Sequence, residues 1–452
     1  MKMITKYGVR RGMTQTQNIA VGFLLVILVG TLLLMLPVSA RDGHMTSFLD
    51  SLFTATSATC VTGLVVVDTF CHWSVFGQIV ILVLIQIGGM GFMTVGVAFA
   101  MMFRRKISLK QRGLLMSSMN LEHLGGIVRL AKKVAFGVVM VEGFGAVMLA
   151  TRFIPRFGFG RGLYYSIFHA ISAFCNAGID LMGFEGEYSS FVSYTSDWIV
   201  NITLILLIVI GGIGFIVWDD VTKNKWHVKR YRLHTKIVMS ATLLLLAGGT
   251  LLFYLFEKDN LMRDMSASEA FLASFFSSAT ARTAGFNTID TAGLSTASKL
   301  LTEVLMFIGG SPGSTAGGIK TVTLVVLGIY VWSNLRSQGQ CNVFGRRIDD
   351  DSIKKASNVL CVCLVLVVVS LIAICAFQPG LSVSDVIFEV FSAIGTVGMS
   401  TGVTRELCTA SRIVIIVLMY CGRLGGMSFA MTFTESKKQV PVRMPSEKLM
   451  IG

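Results

Sequence analysis

Of 452 residues, 53% are hydrophobic and only 14% are charged, with 46 glycines and 6 prolines. A soluble chain carries about 25% charged residues, so there is too little polar surface here to cover a water-soluble fold of this length. The long apolar runs also exclude a disordered or collagen-like chain. Lys and Arg number 39 against 25 Asp and Glu, a net charge of +14. These basic residues sit in short segments between apolar runs, the positive-inside pattern of a polytopic membrane protein rather than a nucleic-acid surface.

The first apolar run, 18–37, follows Lys2, Lys6, Arg10 and Arg11 and ends at Pro37. Val38-Ser39-Ala40 has the small-residue form of a signal-peptidase site, but the run is longer than a signal core of about 7–15 residues, so a retained helix is expected. Further runs able to cross roughly 30 Å of hydrocarbon lie near 76–102, 130–151, 197–218, 237–256, 299–332, 357–377 and 411–433. After each odd-numbered run comes a shorter segment, 46–59, 163–174, 268–280 and 383–394. These are too short to span and suit re-entrant helices.

Twenty-seven of the Lys and Arg residues fall in the termini and in alternate loops, against ten in the opposite loops. That split predicts cytoplasmic termini. The chain divides into a cytoplasmic N-terminal segment (1–17), repeats at 18–102, 130–220, 237–332 and 357–434, cytoplasmic linkers at 103–129, 221–236 and 333–356, and a cytoplasmic tail (435–452). Nine cysteines cannot all pair. Cys361, Cys363 and Cys375 read as thiols buried in apolar runs, while Cys71 and Cys408 fall in outer loops where a disulfide is allowed but not required.

The repeat is written in the residues. The four short segments are followed by Cys60-Val61-Thr62-Gly63, Cys175-Asn176-Ala177-Gly178, Arg282-Thr283-Ala284-Gly285 and Gly395-Thr396-Val397-Gly398, whose glycines are separated by 115, 107 and 113 residues. Within the next run a second signal recurs: Gly88-Gly89, Gly211-Gly212, Gly309-Gly310 and Gly422-Arg423. Repetition at such a period predicts an all-α polytopic fold of four helix–pore-helix–helix repeats in pseudo-fourfold arrangement around one pore. Non-helical backbone survives at membrane depth only where protein covers it or it lines a watery cavity. Half-helices entering from outside aim their negative carboxyl ends at the membrane centre, which favours a cation. Glycine lets the backbone turn its carbonyls toward the axis, as in potassium filters. No ring of Asp or Glu stands beside these glycines, which argues against calcium. One glycine per loop predicts a filter shorter than that of tetrameric potassium channels.

Gly309-Gly310-Ser311-Pro312-Gly313-Ser314-Thr315-Ala316-Gly317-Gly318-Ile319-Lys320 cannot form a regular helix, because proline removes a donor and glycine raises the cost of helical order. The break falls just below the glycine loops, where loose backbone would obstruct the axis; the alternative is a kink for close packing. A phosphate-binding loop is excluded, since GxxxxGK[ST] is not satisfied. Arg423 within a span costs at least ~2.5–3.5 kcal/mol. It is read either as an electrostatic barrier on the axis or as half of a buried pair with Glu142 or Asp219. Lys320 is read as a companion or as a snorkelling residue. No GxSxG, HExxH or intramembrane aspartate pair supports an enzyme.

These residues resemble the Trk/Ktr/HKT superfamily of potassium transporters, most closely a Ktr-type (KtrB-like) membrane subunit, over residues 15–452. The most specific pieces are Thr280-Ala281-Arg282-Thr283-Ala284-Gly285-Phe286-Asn287, Gly309 through Lys320, and Gly395-Thr396-Val397-Gly398-Met399-Ser400. Cys60 departs from the family's usual threonine. The resemblance implies K+ held at carbonyls near Gly63, Gly178, Gly285 and Gly398 and moving inward, with Na+ as a possible stimulant. It makes the 309–320 segment the gating loop and gives Arg423 a barrier role. It further implies a plasma (inner) membrane location, a homodimer with Lys448–Gly452 at the contact, and no cofactor on this chain. ATP or ADP would bind a cytosolic KtrA-like nucleotide-binding ring docked on the basic loops. Arg282, unexpected beside a cation path, is predicted to turn toward Glu389. The rival readings are a Trk-type transporter subunit, a non-transporting membrane scaffold or sensor, and a secondary transporter for an anion.

Overall fold

The computed structural model describes residues 14–91, 126–337 and 340–425, with positions 94, 96, 112 and 113. Each repeat begins with a helix long and apolar enough to cross a bilayer: α1 (Gln15–Leu34), α4 (Ile127–Phe157), α8 (Leu233–Glu257) and α12 (Asp350–Phe377). Their outer faces stay apolar where no protein covers them, as at Leu25, Leu32, Phe136, Leu243 and Ile372. That is the surface lipid requires.

Inside this cage stand the re-entrant helices α2 (Phe48–Cys60), α5 (Phe159–Cys175), α9 (Ala267–Thr280) and α13 (Val383–Gly395). Their carboxyl-terminal halves are rich in small and hydroxylated residues and are mostly buried, while their first turns reach the surface. Several helices start on a polar cap of the expected kind. Ser47 caps α2 through Asp50 N–H, and Ser266 with Glu269 forms a capping box on α9.

The second helices are α3 (Val75–Met90), α6 (Trp198–Gly212) followed by α7 (Phe215–Asn224), α10 (Thr296–Phe307) followed by α11 (Thr321–Leu335), and α14 (Thr409–Leu424). Each packs on the re-entrant helix of the following repeat: α3 on α5, α6 on α9, α10 on α13, and α14 back on α2. The cycle closes, so the four repeats surround one axis.

Eight spanning runs were expected, with only the 299–332 run broken. Among the described residues only the first helix of each repeat is long and apolar enough alone, and α6 and α7 bend by 95°. The cause is a third glycine: Gly91, Gly214 and Gly425 hold φ of +77°, +94° and +82° and stop α3, α6 and α14. Side chains rarely adopt that geometry. The expected continuations of α3 beyond Gly96 and of α14 beyond Gly425, and both termini, lie outside the described residues.

Ser39 and Ala40 of the signal-peptidase-like stretch are buried, and Ser74 N–H bonds to Ser39 O at 2.9 Å. The β pairing described is one two-residue hairpin, Asn342–Val343 with Arg346–Arg347, in the 333–356 linker. All nine cysteines are free, so Cys71 and Cys408 do not bond. Cys71 instead approaches Gly183 O and Cys408 approaches Ser411.

Candidate functional site

Three re-entrant helices are capped by a non-glycine residue in the left-handed region, Val61 (φ 58°), Asn176 (60°) and Thr396 (51°), and in the third repeat Thr283 (73°) takes that φ three residues after the helix ends. Three of these four residues are β-branched, for which this conformation is a true outlier costing about 1–3 kcal/mol. Two residues on, Gly63, Gly178, Gly285 and Gly398 also have positive φ. The strain is over-determined by local bonds. Thr62, Ala177 and Val397 N–H reach back to Ser57, Ser172 and Ser392 O at 2.8 to 2.9 Å. One hydroxyl from each helix then pins the loop. Ser57 Oγ accepts from Gly63 N–H (3.0 Å) and Ser392 Oγ from Gly398 N–H (3.1 Å). Ser172 donates to Ile179 O and Thr280 to Phe286 O, each at 2.7 Å.

The four glycines stand against one another. A methyl group added to Gly63 would meet Ala177 O and Gly178; one on Gly178 would meet Ala284 O and Gly285; one on Gly285, Val397 O and Gly398; and one on Gly398, Thr62 O and Gly63, the carbonyl oxygen in each case closer than a carbon can approach. The loops therefore form one closed ring of bare backbone. Among the described residues, no donor reaches the carbonyls of 61–63, 176–178, 283–285 or 396–398. Buried carbonyls normally have partners, so the lone pairs of this set are left for water or a ligand. Cys60, Cys175, Arg282 and Gly395 precede the ring; the first, second and fourth are the last residues of their helices, while Arg282 lies two residues past the end of α9.

Directly beneath lies the segment from Ile308 to Lys320. It caps the broken end of α6: Ser311 and Thr315 N–H bond to Gly212 O (2.9 Å) and Gly211 O (3.3 Å), and Phe215 N–H to Gly313 O (2.8 Å). Thr315 Oγ1 donates to Phe174 O at the foot of the ring (3.1 Å). Gly317 abuts the Thr396 side chain, and Gly318 abuts Gly395. Lys320 Nζ folds back on Ala316 O (2.6 Å) and Gly317 O (3.2 Å). Arg423 donates to Thr315 O, Gly88 O and Gly89 O. The alternative pairing of Arg423 is absent: Glu142 is held by Gln86 (3.2 Å), and Asp219 by Lys133 and Lys223.

Arg282 does not turn to Glu389. That carboxylate accepts from Ser400 (2.8 Å) and Thr404, within its own repeat. Arg282 instead points away from the ring into a small space with Gly212, Thr242 and Gly310, and its Nε has no partner among the described residues.

Above the ring opens a cavity of about 380 Å³, walled by all four ring glycines. Asp68, Asp180, Asp290 and Arg405 supply its charges. Burial, with Asp68 close by, raises the carboxyl of Asp180 in this outer loop to about 6.

Two features escaped the sequence reading. The pinning hydroxyls did carry a signal, a serine six residues before Gly63, Gly178 and Gly398. The helix-stopping glycines did too, as the last glycine of Gly88-Gly89-Met90-Gly91, Gly211-Gly212-Ile213-Gly214 and Gly422-Arg423-Leu424-Gly425.

A closed cycle of re-entrant helices inside membrane-length helices defines a multi-pass membrane transport protein. The family model for the cation transport protein TrkH matches residues 5–441. The chain belongs to that family, whose members are transporters rather than enzymes. The potassium/sodium uptake protein NtpJ of Enterococcus hirae is 40% identical over 99% of this chain and 100% of its own. The Ktr system potassium uptake protein B of Bacillus subtilis is 40% identical over 97% of each chain. The crystal structure of the potassium transporter TrkH from Vibrio parahaemolyticus superposes with a TM-score of 0.73 at 18% identity, covering 95% of this chain and 87% of that one. The likeness extends to the fold.

Proposed function

We propose that this chain is the potassium-translocating subunit of a Ktr-type uptake system in the plasma (inner) membrane, with both termini cytoplasmic. K+ enters the outer cavity, exchanges hydration water for the ring carbonyls of Val61–Gly63, Asn176–Gly178, Thr283–Gly285 and Thr396–Gly398, and continues inward. The observation that carries the reading is the set of ring carbonyls, contributed by every repeat and reached by no protein donor. Neutral carbonyls suit a monovalent ion, because a fixed carboxylate set would hold a divalent one too tightly to release.

The Ile308–Lys320 segment and Arg423 form the gate. The segment blocks the exit below the ring, and the guanidinium ties it to α3 through Thr315, Gly88 and Gly89. Na+ stimulates flux at the outer cavity or ring. Nucleotide control resides in a KtrA-like cytosolic ring docked on the basic loops, and the chain works as a homodimer. The relatives' names, a Ktr system and a potassium/sodium uptake protein, support potassium as the cargo, a part for sodium and a companion subunit.

The test is K+ uptake in cells lacking their own potassium uptake, comparing wild type with Gly178→Ser and Gly398→Ser. Wild type restores growth at low K+, and both variants lose that growth or its preference for K+ over Na+. Wild-type growth from both variants, at normal expression, would place the ion path elsewhere.

A further inference from the structure

The outer cavity holds one cation of the protein's own. Arg405, on the short turn Val403–Arg405 of the fourth repeat, lines the same cavity as the ring glycines and the carboxylates of Asp68, Asp180 and Asp290. Its guanidinium lies 4.2 Å above the ring of Tyr188. Tyr188 is itself fixed in a left-handed conformation (φ 63°), with its N–H on Asp68 Oδ2 (2.9 Å) and its hydroxyl on Val66 O (3.2 Å). Behind the turn, Arg412 donates to Arg405 O (3.3 Å) and pairs with Asp50 of the first repeat at 2.7 Å. Three repeats therefore hold this charge in place. No carboxylate lies within ion-pair distance of it among the described residues.

A positive charge at the mouth of a cation path looks counterproductive unless the path must discriminate by charge. Three carboxylates without compensation would concentrate ions according to exp(−zeψ/kT), and would enrich divalents by the square of the factor for monovalents. We infer that Arg405 is a specificity-determining residue that keeps divalent cations from accumulating over the ring. It lowers monovalent occupancy by one factor and divalent occupancy by that factor squared. The inference rests on the potassium reading for its purpose, but the charge relation holds whatever the ring carries.

The experiment compares wild type, Arg405→Gln and Arg405→Lys, as purified full-length protein and in K+-deficient cells. Removing the charge lowers the K+ concentration for half-maximal uptake about twofold and the inhibitory Ba2+ concentration about fourfold at low ionic strength. Both shifts shrink as choline chloride is added, and Arg405→Lys stays near wild type. Binding of Mn2+ to purified protein, followed by electron paramagnetic resonance, reads the same charge without transport and tightens about fourfold in Arg405→Gln. Unchanged Mn2+ affinity, or equal shifts for K+ and Ba2+, overturns the inference. So does an Arg405→Lys protein that matches Arg405→Gln. Absence of K+ uptake by wild type would instead defeat the potassium reading, with the Mn2+ result still deciding the role of Arg405.

Discussion

Replacing Gly398 with alanine puts a methyl group where the ring has no room. The backbone there has φ +93°, and the added carbon would lie 2.7 Å from Gly63 Cα and 2.9 Å from its carbonyl carbon, with Thr62 O nearer still. Holding a side chain at that φ costs about 1–3 kcal/mol. Relieving an overpacked contact of this kind costs typically another ~1–3 kcal/mol. All of these neighbours are backbone atoms of the first-repeat loop, so relief must move the Val61–Gly63 carbonyls. The expected result is a loss of about 2–6 kcal/mol in stability together with a fall in K+ uptake of at least about tenfold, since each 1.4 kcal/mol at the ion costs that factor. Gly143→Ala is the control. It lies inside α4 with nothing within 4 Å of the added carbon, so it gains about 1 kcal/mol of helix stability and keeps full uptake. Thermal unfolding in detergent and Rb+ flux into proteoliposomes measure the two effects. A Gly398→Ala protein with wild-type flux and wild-type preference for K+ over Na+ would refute the carbonyl ring as the ion path.

Arg423→Ala removes three bonds that tie the Thr315 region to α3. Rb+ flux through the subunit alone should rise several-fold, and unchanged or lower flux would remove Arg423 from the gate. Ser392→Ala leaves the Gly398 N–H without its acceptor; burying that donor unpaired costs about 1–3 kcal/mol, which a lowered unfolding midpoint and weakened K+ selectivity would register. Asp180 sits in the outer cavity with its carboxyl raised to about 6, so it is neutral below that pH and charged above it. Raising the external pH from 5 to 7 should therefore lower the K+ concentration for half-maximal uptake, and Asp180→Asn should abolish that step; an identical pH profile in the variant would rule the residue out.

The architecture was legible because the hydrophobic runs, the basic loops and four glycine tetrads all repeat at one period. The pairing of α3, α6, α10 and α14 with the next repeat's re-entrant helix follows from that order. What stayed hidden was set by backbone conformation. Val61, Thr283 and Thr396 have β-branched side chains that suggest extended or helical backbone, yet all three are left-handed because the cap bonds and hydroxyl pins outweigh local preference. The bend after α6 was missed because Ile213 and Phe215 keep the run apolar across Gly214. Arg282 was aimed at Glu389 by charge alone, but two hydroxyls in the following turn already occupy that carboxylate.

The symmetry is broken in one place, and the same repeat breaks it twice. In repeats one, two and four, Gly88, Gly211 and Gly422 pack directly on the carbonyls of Thr59, Phe174 and Ile394, the residues just before the ring tetrads. Any side chain there would push the second helix off the re-entrant helix. In repeat three, Gly309 packs on Gly317 O of its own loop instead, so α10 ends at Phe307 and the chain is free to fold beneath the ring. The upper half of that repeat departs as well: its helix closes through Ala281 in a right-handed conformation, its left-handed residue is Thr283, and its pin is Thr280, five residues before the glycine rather than six. Giving up the Gly–carbonyl contact in a single repeat leaves one loop held instead by ties to α6, Phe174, Gly395, Thr396 and Arg423. The third quarter is the one that differs, which is why the gate proposed above falls in it.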